Sequence, residues 1–210
     1  MIKRSIFFFI CLAVLTQVSY GQQKETEESS LLFSVKQNVK WGYIDRAGKI
    51  VIKPQFDWAI SLSEGLARVT IGEKWGYIDR TGKIVIKPQF DQAFSFSEGL
   101  AAVKIGEKWG YIDKTEKIVI KPQFDWAQPF FEGLAPVMIG DKMGYIDKME
   151  KIVIKLQFDL AFSFSEGLAG VKIGEKWGYI DKSGEIVIKT QFGRAKRFCE
   201  GLAPVMIERK

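Results

Sequence analysis

The 210-residue sequence contains no histidine and only two cysteines, Cys11 and Cys199. Without histidine there is no imidazole general base, no Ser-His or Cys-His nucleophile pair and no His/Cys metal cage. Long apolar runs are also lacking. The run Ile6 to Leu15 has 10 residues, whereas a helix needs about 20 to span a bilayer. No segment sustains a 3.6-residue apolar period with caps, so helix content is expected to be low. Charge of one sign is not in large excess: 31 basic residues face 25 acidic ones, a net charge of +6. A balance that mild does not argue for a nucleic-acid partner. What is present is a globular composition, 47% hydrophobic and 27% charged, with no cofactor motif and no metal-ligand spacing.

Residues 1–21 read as a secretory signal peptide. Lys3 and Arg4 precede the apolar run, and the small residues Ser19 and Gly21 stand before Gln22, which suits cleavage after Gly21. The rival reading is an uncleaved anchor. Cys11 follows Ile10 inside the apolar run, without the small residue that lipoprotein processing requires. Cleavage leaves 189 residues with 29 basic and 25 acidic side chains, a net charge of +4, and no membrane span. It also leaves Cys199 without an intrachain disulfide partner. Residues 22–31 are polar and are expected to form a flexible leader. The expected location is secreted, periplasmic or at the cell surface.

From residue 32 onward the chain is a repeat. Trp41-Gly42-Tyr43-Ile44-Asp45 recurs at Trp75, Trp109, Met143 and Trp177, always 34 residues apart, and a partial repeat at 32–40 precedes the five full ones. Units at a fixed period close no core alone and must stack on their neighbours. Constant length also leaves no loop elaborated into a private active site. Each repeat predicts three strands, for example Leu66 to Ile71, Trp75 to Asp79 and Lys83 to Lys87, joined by turns at Gly72-Glu73 and at Asp79 to Gly82. Pro54, Pro88 and Pro122 cannot donate to a ladder, so the third strand must stop there or lie at an edge. Alternation puts Trp75, Tyr77 and Asp79 on one face and Gly76 and Ile78 on the other. Ile84 and Ile86 share a face and Val85 opposes them, so both faces are expected to pack between neighbours. Gly76 implies a close approach, expected to be a bulky ring of the adjacent repeat.

The columns of the repeat define candidate residues. Trp41, Trp75, Trp109, Met143 and Trp177 form one, and Phe56, Phe90, Phe124, Phe158 and Phe192 another; both read as core. Leu62, Phe96, Phe130, Phe164 and Phe198 form a third, read as anchors under the long connection that follows the third strand. The aspartates at 45, 79, 113, 147 and 181 each open a turn, Asp-x-x-Gly at 45, 79 and 181, and read as turn acceptors. They do not read as calcium ligands, which must converge in sixes or more. Glu116 and Glu150 replace that turn's glycine, at about 1 kcal/mol if φ is positive. The lysine columns starting at Lys40 and Lys53 share their period with acidic columns at Asp45 and Glu64, which predicts a mixed, solvated surface. Gly65 and its equivalents are expected at positive φ. One column behaves differently: Trp58, Gln92, Trp126, Leu160, Arg194. A position that takes tryptophan, glutamine and arginine is expected to be exposed, which makes Trp58 and Trp126 the candidate binding residues. Cys199 stands where other repeats have Ser63, Ser97, Phe131 and Ser165, and reads as a serine replacement.

The unit Trp-Gly-Tyr-Ile-Asp, a turn, Lys-Ile-Val-Ile-Lys-Pro-Gln-Phe-Asp, then Phe-Ser-Glu-Gly-Leu-Ala-x-Val resembles the WG repeat of bacterial proteins. The resemblance covers residues 32–210 and departs at Met143, Leu156, Thr190 and Gly193, all in the last two repeats, which are expected to pack less regularly. It implies an all-β repeat module with no general catalytic role, often exported or surface-associated. The expected architecture is therefore a solenoid-like array of antiparallel β-meanders, with a closed, propeller-like ring as the alternative. The expected function is an exported, non-enzymatic scaffold that binds a protein or a surface glycan at the cell envelope. The alternatives are a structural envelope protein that assembles through edge strands, and, last, a hydrolase using carboxylates such as Asp91 and Glu98.

Overall fold

The computed structural model describes residues 32–207, so the expected signal peptide 1–21 and leader 22–31 lie outside the described residues. The chain is all-β, and among the described residues there is no helix. Two compact units meet in sequence between Ser61 and Leu62. The first holds a three-stranded antiparallel sheet of Phe33–Gln37, Lys40–Ile44 and Ile50–Phe56, with the short strand Trp58–Ala59 after it. The second begins with Ala67–Ile71, Lys74–Ile78 and Ile84–Phe90. A four-stranded antiparallel sheet follows: Gln92–Ala93 pairs with Leu100–Ile105, that strand with Lys108–Asp113, and that one with Ile118–Phe124. The same sheet recurs from Trp126–Ala127 and from Leu160–Ala161, and a two-stranded remnant, Arg194–Ala195 with Val205–Met206, ends the described chain. Among the described residues no sheet closes into a barrel. The fold is a tandem array of antiparallel sheets, one per repeat.

Four strands replace the expected three. The additional strand has two residues, Gln92–Ala93 in the repeat above, and two residues are too few for a period-2 pattern to register. Proline is accommodated as an edge residue: Ile118–Phe124 runs through Pro122 at the outside of its sheet. The ladder there is irregular. Trp109 pairs with Phe124 and Tyr111 with Ile120, so two steps on one strand oppose four on the other, a bulge centred on Lys121 to Gln123.

The bulge corrects the expectation for the strand glycine. A Cβ on Gly110 would lie 2.6 Å from the Ile120 carbonyl oxygen and 2.7 Å from the Pro122 nitrogen. What approaches the glycine is the bulged backbone of the paired strand, not a ring from the next repeat. Gly76, Gly144 and Gly178 meet the same backbone in their own sheets.

Alternation gives every sheet two unlike faces. One carries Trp109 and Tyr111; the other carries small and aliphatic residues such as Ala127, Ala135, Val137 and Ile146 of the following sheet. These two sets pack together with Phe124 and Phe130 in one buried cluster. Full burial of a large apolar side chain contributes about 1.5–3 kcal/mol, so each such layer supplies much of the array's stability. The buried tyrosines also donate forward: Tyr77 Oη to the Phe94 carbonyl at 2.7 Å, Tyr111 to Gln128 at 2.9 Å and Tyr145 to Phe162 at 2.7 Å. Burial drives these hydroxyls well above the ordinary tyrosine range.

Packing does not reach everything expected to be inside. Ile86 is buried, but its strand neighbours Ile84 and Val85 are 42% and 41% exposed, and their equivalents in the other repeats are likewise exposed. Trp41, Trp75 and Phe192 are half-buried, whereas Trp109, Met143, Trp177, Phe56, Phe90, Phe124 and Phe158 are buried. The last repeat keeps the regular strand register, Trp177 with Phe192 and Tyr179 with Ile188, while Ile188 is only half-buried.

Polar contacts tie successive repeats together. The turn Ser63–Leu66 has Glu64 at φ 52° and Gly65 at φ 86°, both left-handed, as a two-residue hairpin turn demands. Glutamate is unusual there, and its carboxylate supplies the reason. It accepts from the Gly99 amide of the next repeat at 3.1 Å and pairs with Lys114 of the repeat after that at 3.1 Å. Glu98 makes the same contacts with Gly133 and Lys148, and Glu132 with Gly167 and Lys182. Partial burial raises the Glu64 carboxyl pKa, but hydrogen bonds from Lys114 and the Gly99 amide outweigh it and leave a net lowering.

The Lys40 column also has defined partners: Lys74 pairs with Asp91, Lys108 with Asp125 and Lys142 with Asp159. The aspartates of the Trp-Gly-Tyr-Ile-Asp motif serve their own turns. Asp79 accepts from the Thr81 amide at 2.8 Å, the Thr81 hydroxyl at 2.6 Å and the Lys83 amide at 3.1 Å. Glu116 and Glu150 do sit at positive φ, 72° and 67°, each accepting from a glutamine of the preceding repeat, Gln89 or Gln123, at 2.6 Å.

Candidate functional site

The short strand and its partner separate what is constant in the repeat from what varies. In successive sheets Ala93 pairs with Val103, Ala127 with Val137, Ala161 with Val171 and Ala195 with Val205. One residue away, the paired positions are Gln92 with Lys104, Trp126 with Met138, Leu160 with Lys172 and Arg194 with Met206. Neighbouring rows on a strand point to opposite faces, so the invariant Ala–Val row faces inward, save for Val205 in the terminal pair, and the variable row lies at the rim. A second variable row follows, in which the amide of residue 94, 128, 162 or 196 donates to the carbonyl of residue 102, 136, 170 or 204. Its variation is partly compensatory packing: a Cβ on Gly170 would stand 3.1 Å from the Phe162 ring.

Trp58 is 47% exposed, with its ring 5.4 Å from that of Trp41. Trp126 is half-buried. It reaches between two sheets, against Trp109 (ring centroids 5.0 Å apart) and Phe94 (5.9 Å, edge-on) on one side and beside Met138 on the other. These rings form one wall of a cleft of about 260 Å³ that Arg68, Trp75 and Gln92 complete. The Arg68 guanidinium stands 4.9 Å from the Trp75 ring centroid and 5.8 Å from that of Phe94. It donates through a terminal nitrogen to the Ala93 carbonyl, while its Nε is buried and without a partner. Desolvation lowers its pKa, offset in part by Tyr77.

Sequence reasoning placed Gln92 in the exposed variable column but missed Arg68 and Phe94. A signal was available: in the column of Arg68 the later repeats carry Ala102, Pro136, Gly170 and Pro204, so one charged residue stands among small ones. The carboxylates considered for hydrolysis have separate partners. Asp91 accepts from Lys74 and from the Gly106 amide at 2.9 Å, and Glu98 from Gly133 and Lys148. Cys199 is exposed and free.

The model of the WG containing repeat matches at residues 41–75, 75–109, 109–142, 143–177 and 177–210. The chain belongs to the WG repeat family. No curated protein matches it. Among solved structures, a eukaryotic initiation factor superposes with a TM-score of 0.56 at 9% identity, over 84% of this chain and 57% of that one. The WG repeat chain thus spans little more than half that structure's length, and at such identity the likeness is one of fold alone. A plant lectin with two metal binding sites from Cicer arietinum (TM-score 0.29, 17% identity, 59% and 84% covered) and a protein of unknown function from Bacteroides caccae (0.34, 15%, 77% and 78%) are more remote. In this WG repeat array, then, the variable rim and the aromatic cleft are the features that set one repeat apart from another.

Proposed function

We propose that the chain is an exported, non-enzymatic scaffold that binds a protein or a surface glycan at the cell envelope. The observation that carries this reading is the rim: Gln92–Lys104, Trp126–Met138, Leu160–Lys172 and Arg194–Met206 vary while the adjacent Ala–Val pairs do not. A constant frame with diversified rim residues is how a repeat array presents a specific surface. Half-exposed tryptophans give large contact area with little rotamer entropy to lose. The test is co-sedimentation of the purified chain with isolated envelope of the source cell, before and after protease treatment of that envelope. Retention that survives protease indicates a glycan, and retention lost with protease a protein. Retention should fall in Trp58→Ala and Trp126→Ala; none with the unmodified chain refutes the reading.

The exposed Ile84–Val85 pair and its equivalents on the edge strands favour a second reading, a structural protein assembling through those edges. The flanking lysines and the bulge beside Pro88 oppose edge pairing. Concentration-dependent assembly without any ligand, measured by light scattering, would establish it.

A further inference from the structure

We infer that the cleft bounded by Arg68 and Trp126 is a single subsite for an acidic sugar, a uronate residue of a glycan. The inference rests on the binding reading above and names the ligand class of one place on that surface. The half-buried Trp75, Phe94 and Trp126 line the cleft beside the buried Trp109, and the C–H face of a pyranose stacks on the open part of such rings. Its volume, about 260 Å³, lies just below the range of small-molecule pockets, which suits one ring and not an extended segment.

The guanidinium supplies the selectivity. Arg68 makes no ion pair with an acidic side chain among the described residues. One of its terminal nitrogens is committed to the Ala93 carbonyl, and its buried Nε has no acceptor. Burial shuts that Nε off from an incoming ligand, so the second terminal nitrogen is the donor that faces the cleft, and a carboxylate is the acceptor whose charge matches a partly desolvated guanidinium. The exposed Gln92 amide at the mouth adds a donor and an acceptor for ring hydroxyls. The hydroxyls of a neutral sugar could accept the same hydrogen bond but would leave the guanidinium charge unpaired. A peptide strand would need free backbone groups on the wall, but the Ala93 carbonyl is taken by Arg68 and Ala93 is paired with Val103. The site occurs once in the array, because Ala102, Pro136, Gly170 and Pro204 follow in the column of Arg68.

The experiment titrates the purified chain with trisaccharides of galacturonate, guluronate and mannuronate, and with each after reduction of its carboxyls to hydroxymethyl groups. Tryptophan fluorescence and calorimetry are the readouts, in about 0.5 M salt so that the surface lysines are screened. At least one uronate should bind about tenfold more tightly than its reduced form. Arg68→Gln should abolish that preference and Arg68→Lys restore only part of it, while Trp126→Leu should weaken both forms. Circular dichroism confirms that each variant is folded. Equal affinity for acidic and reduced forms overturns the inference but leaves the binding reading intact. Failure of every trisaccharide while envelope retention persists does the same. Failure of both assays removes the two together.

Discussion

Alanine is a better strand residue than glycine, so propensity alone expects Gly110→Ala to stabilise the chain by about 0.5–1 kcal/mol. The structure reverses the sign. The new Cβ would stand 2.6 Å from the Ile120 oxygen, 2.7 Å from the Pro122 nitrogen and 2.9 Å from the Lys121 carbonyl carbon, against ordinary contacts of about 3.5–4.0 Å. All three atoms are backbone of the bulge, held by sheet pairing on either side, so relief requires the edge strand to move. Overpacking of this kind costs about 1–3 kcal/mol, and the immobile neighbours place Gly110→Ala at the upper end, near 3 kcal/mol. Gly99→Ala is the control. Its φ is 85° with nothing within 4 Å of the added carbon, so it carries only the left-handed penalty, about 1 kcal/mol. Urea unfolding of the purified chain, followed by tryptophan fluorescence, should show a midpoint loss of order 1 M for Gly110→Ala and a smaller one for Gly99→Ala. Gly144→Ala should match Gly110→Ala, since the Leu156 nitrogen stands 2.8 Å from its added carbon where Pro122 stands for Gly110. Equal or milder damage at Gly110 than at Gly99 would refute the close-approach argument. Damage at Gly110 but not Gly144 would assign the effect to the proline ring.

Glu116→Gly should raise the urea midpoint slightly, a net gain of about 0.5 kcal/mol, because it removes a left-handed non-glycine residue at φ 72° and loses one exposed contact with Gln89; a lower midpoint would mean that contact outweighs the backbone. The hydrogen bond from Lys108, aided by the Gly140 amide, holds the Asp125 carboxyl below the usual carboxylate range against a small opposing effect of burial. A depressed folded-state pKa contributes stability above the unfolded value near 4 that fades as pH falls through the folded one. The midpoint difference between the parent chain and Asp125→Asn should therefore be constant from about pH 5 to 8 and close below about pH 4; a difference that grows in acid would contradict the pairing.

Much of this was legible in the sequence because the period repeats each clue five times. The Trp-Gly-Tyr-Ile-Asp strand, the turn after it and the left-handed Gly65 follow from alternation and turn chemistry alone. Two-residue strands such as Gln92–Ala93 carry no period, and pairing creates them only once the long strands are in place. The occupant of Gly76 differs from the expected ring because a bulge is a property of two strands together, invisible in either one. The Glu64 contacts escaped because they join residues 35 and 50 positions apart, beyond any local pattern. Trp126 was legible as variable, but its neighbours Arg68 and Phe94 come from different strands and only folding gathers them.

The reach of that glutamate governs how such an array grows and fails. Glu64 is held by Gly99 one repeat later and by Lys114 two repeats later, and Glu98 and Glu132 reach as far, so the joints between residues 64 and 182 are straddled by contacts anchored beyond them. A description in which each unit senses only its immediate neighbours therefore underestimates the cooperativity, and unravelling should proceed in blocks of several repeats. Duplication or loss of a whole 34-residue unit keeps every clamp in phase. Insertion of a single residue throws out of step every clamp that spans it, so the array can change length by whole repeats but not by fractions of one.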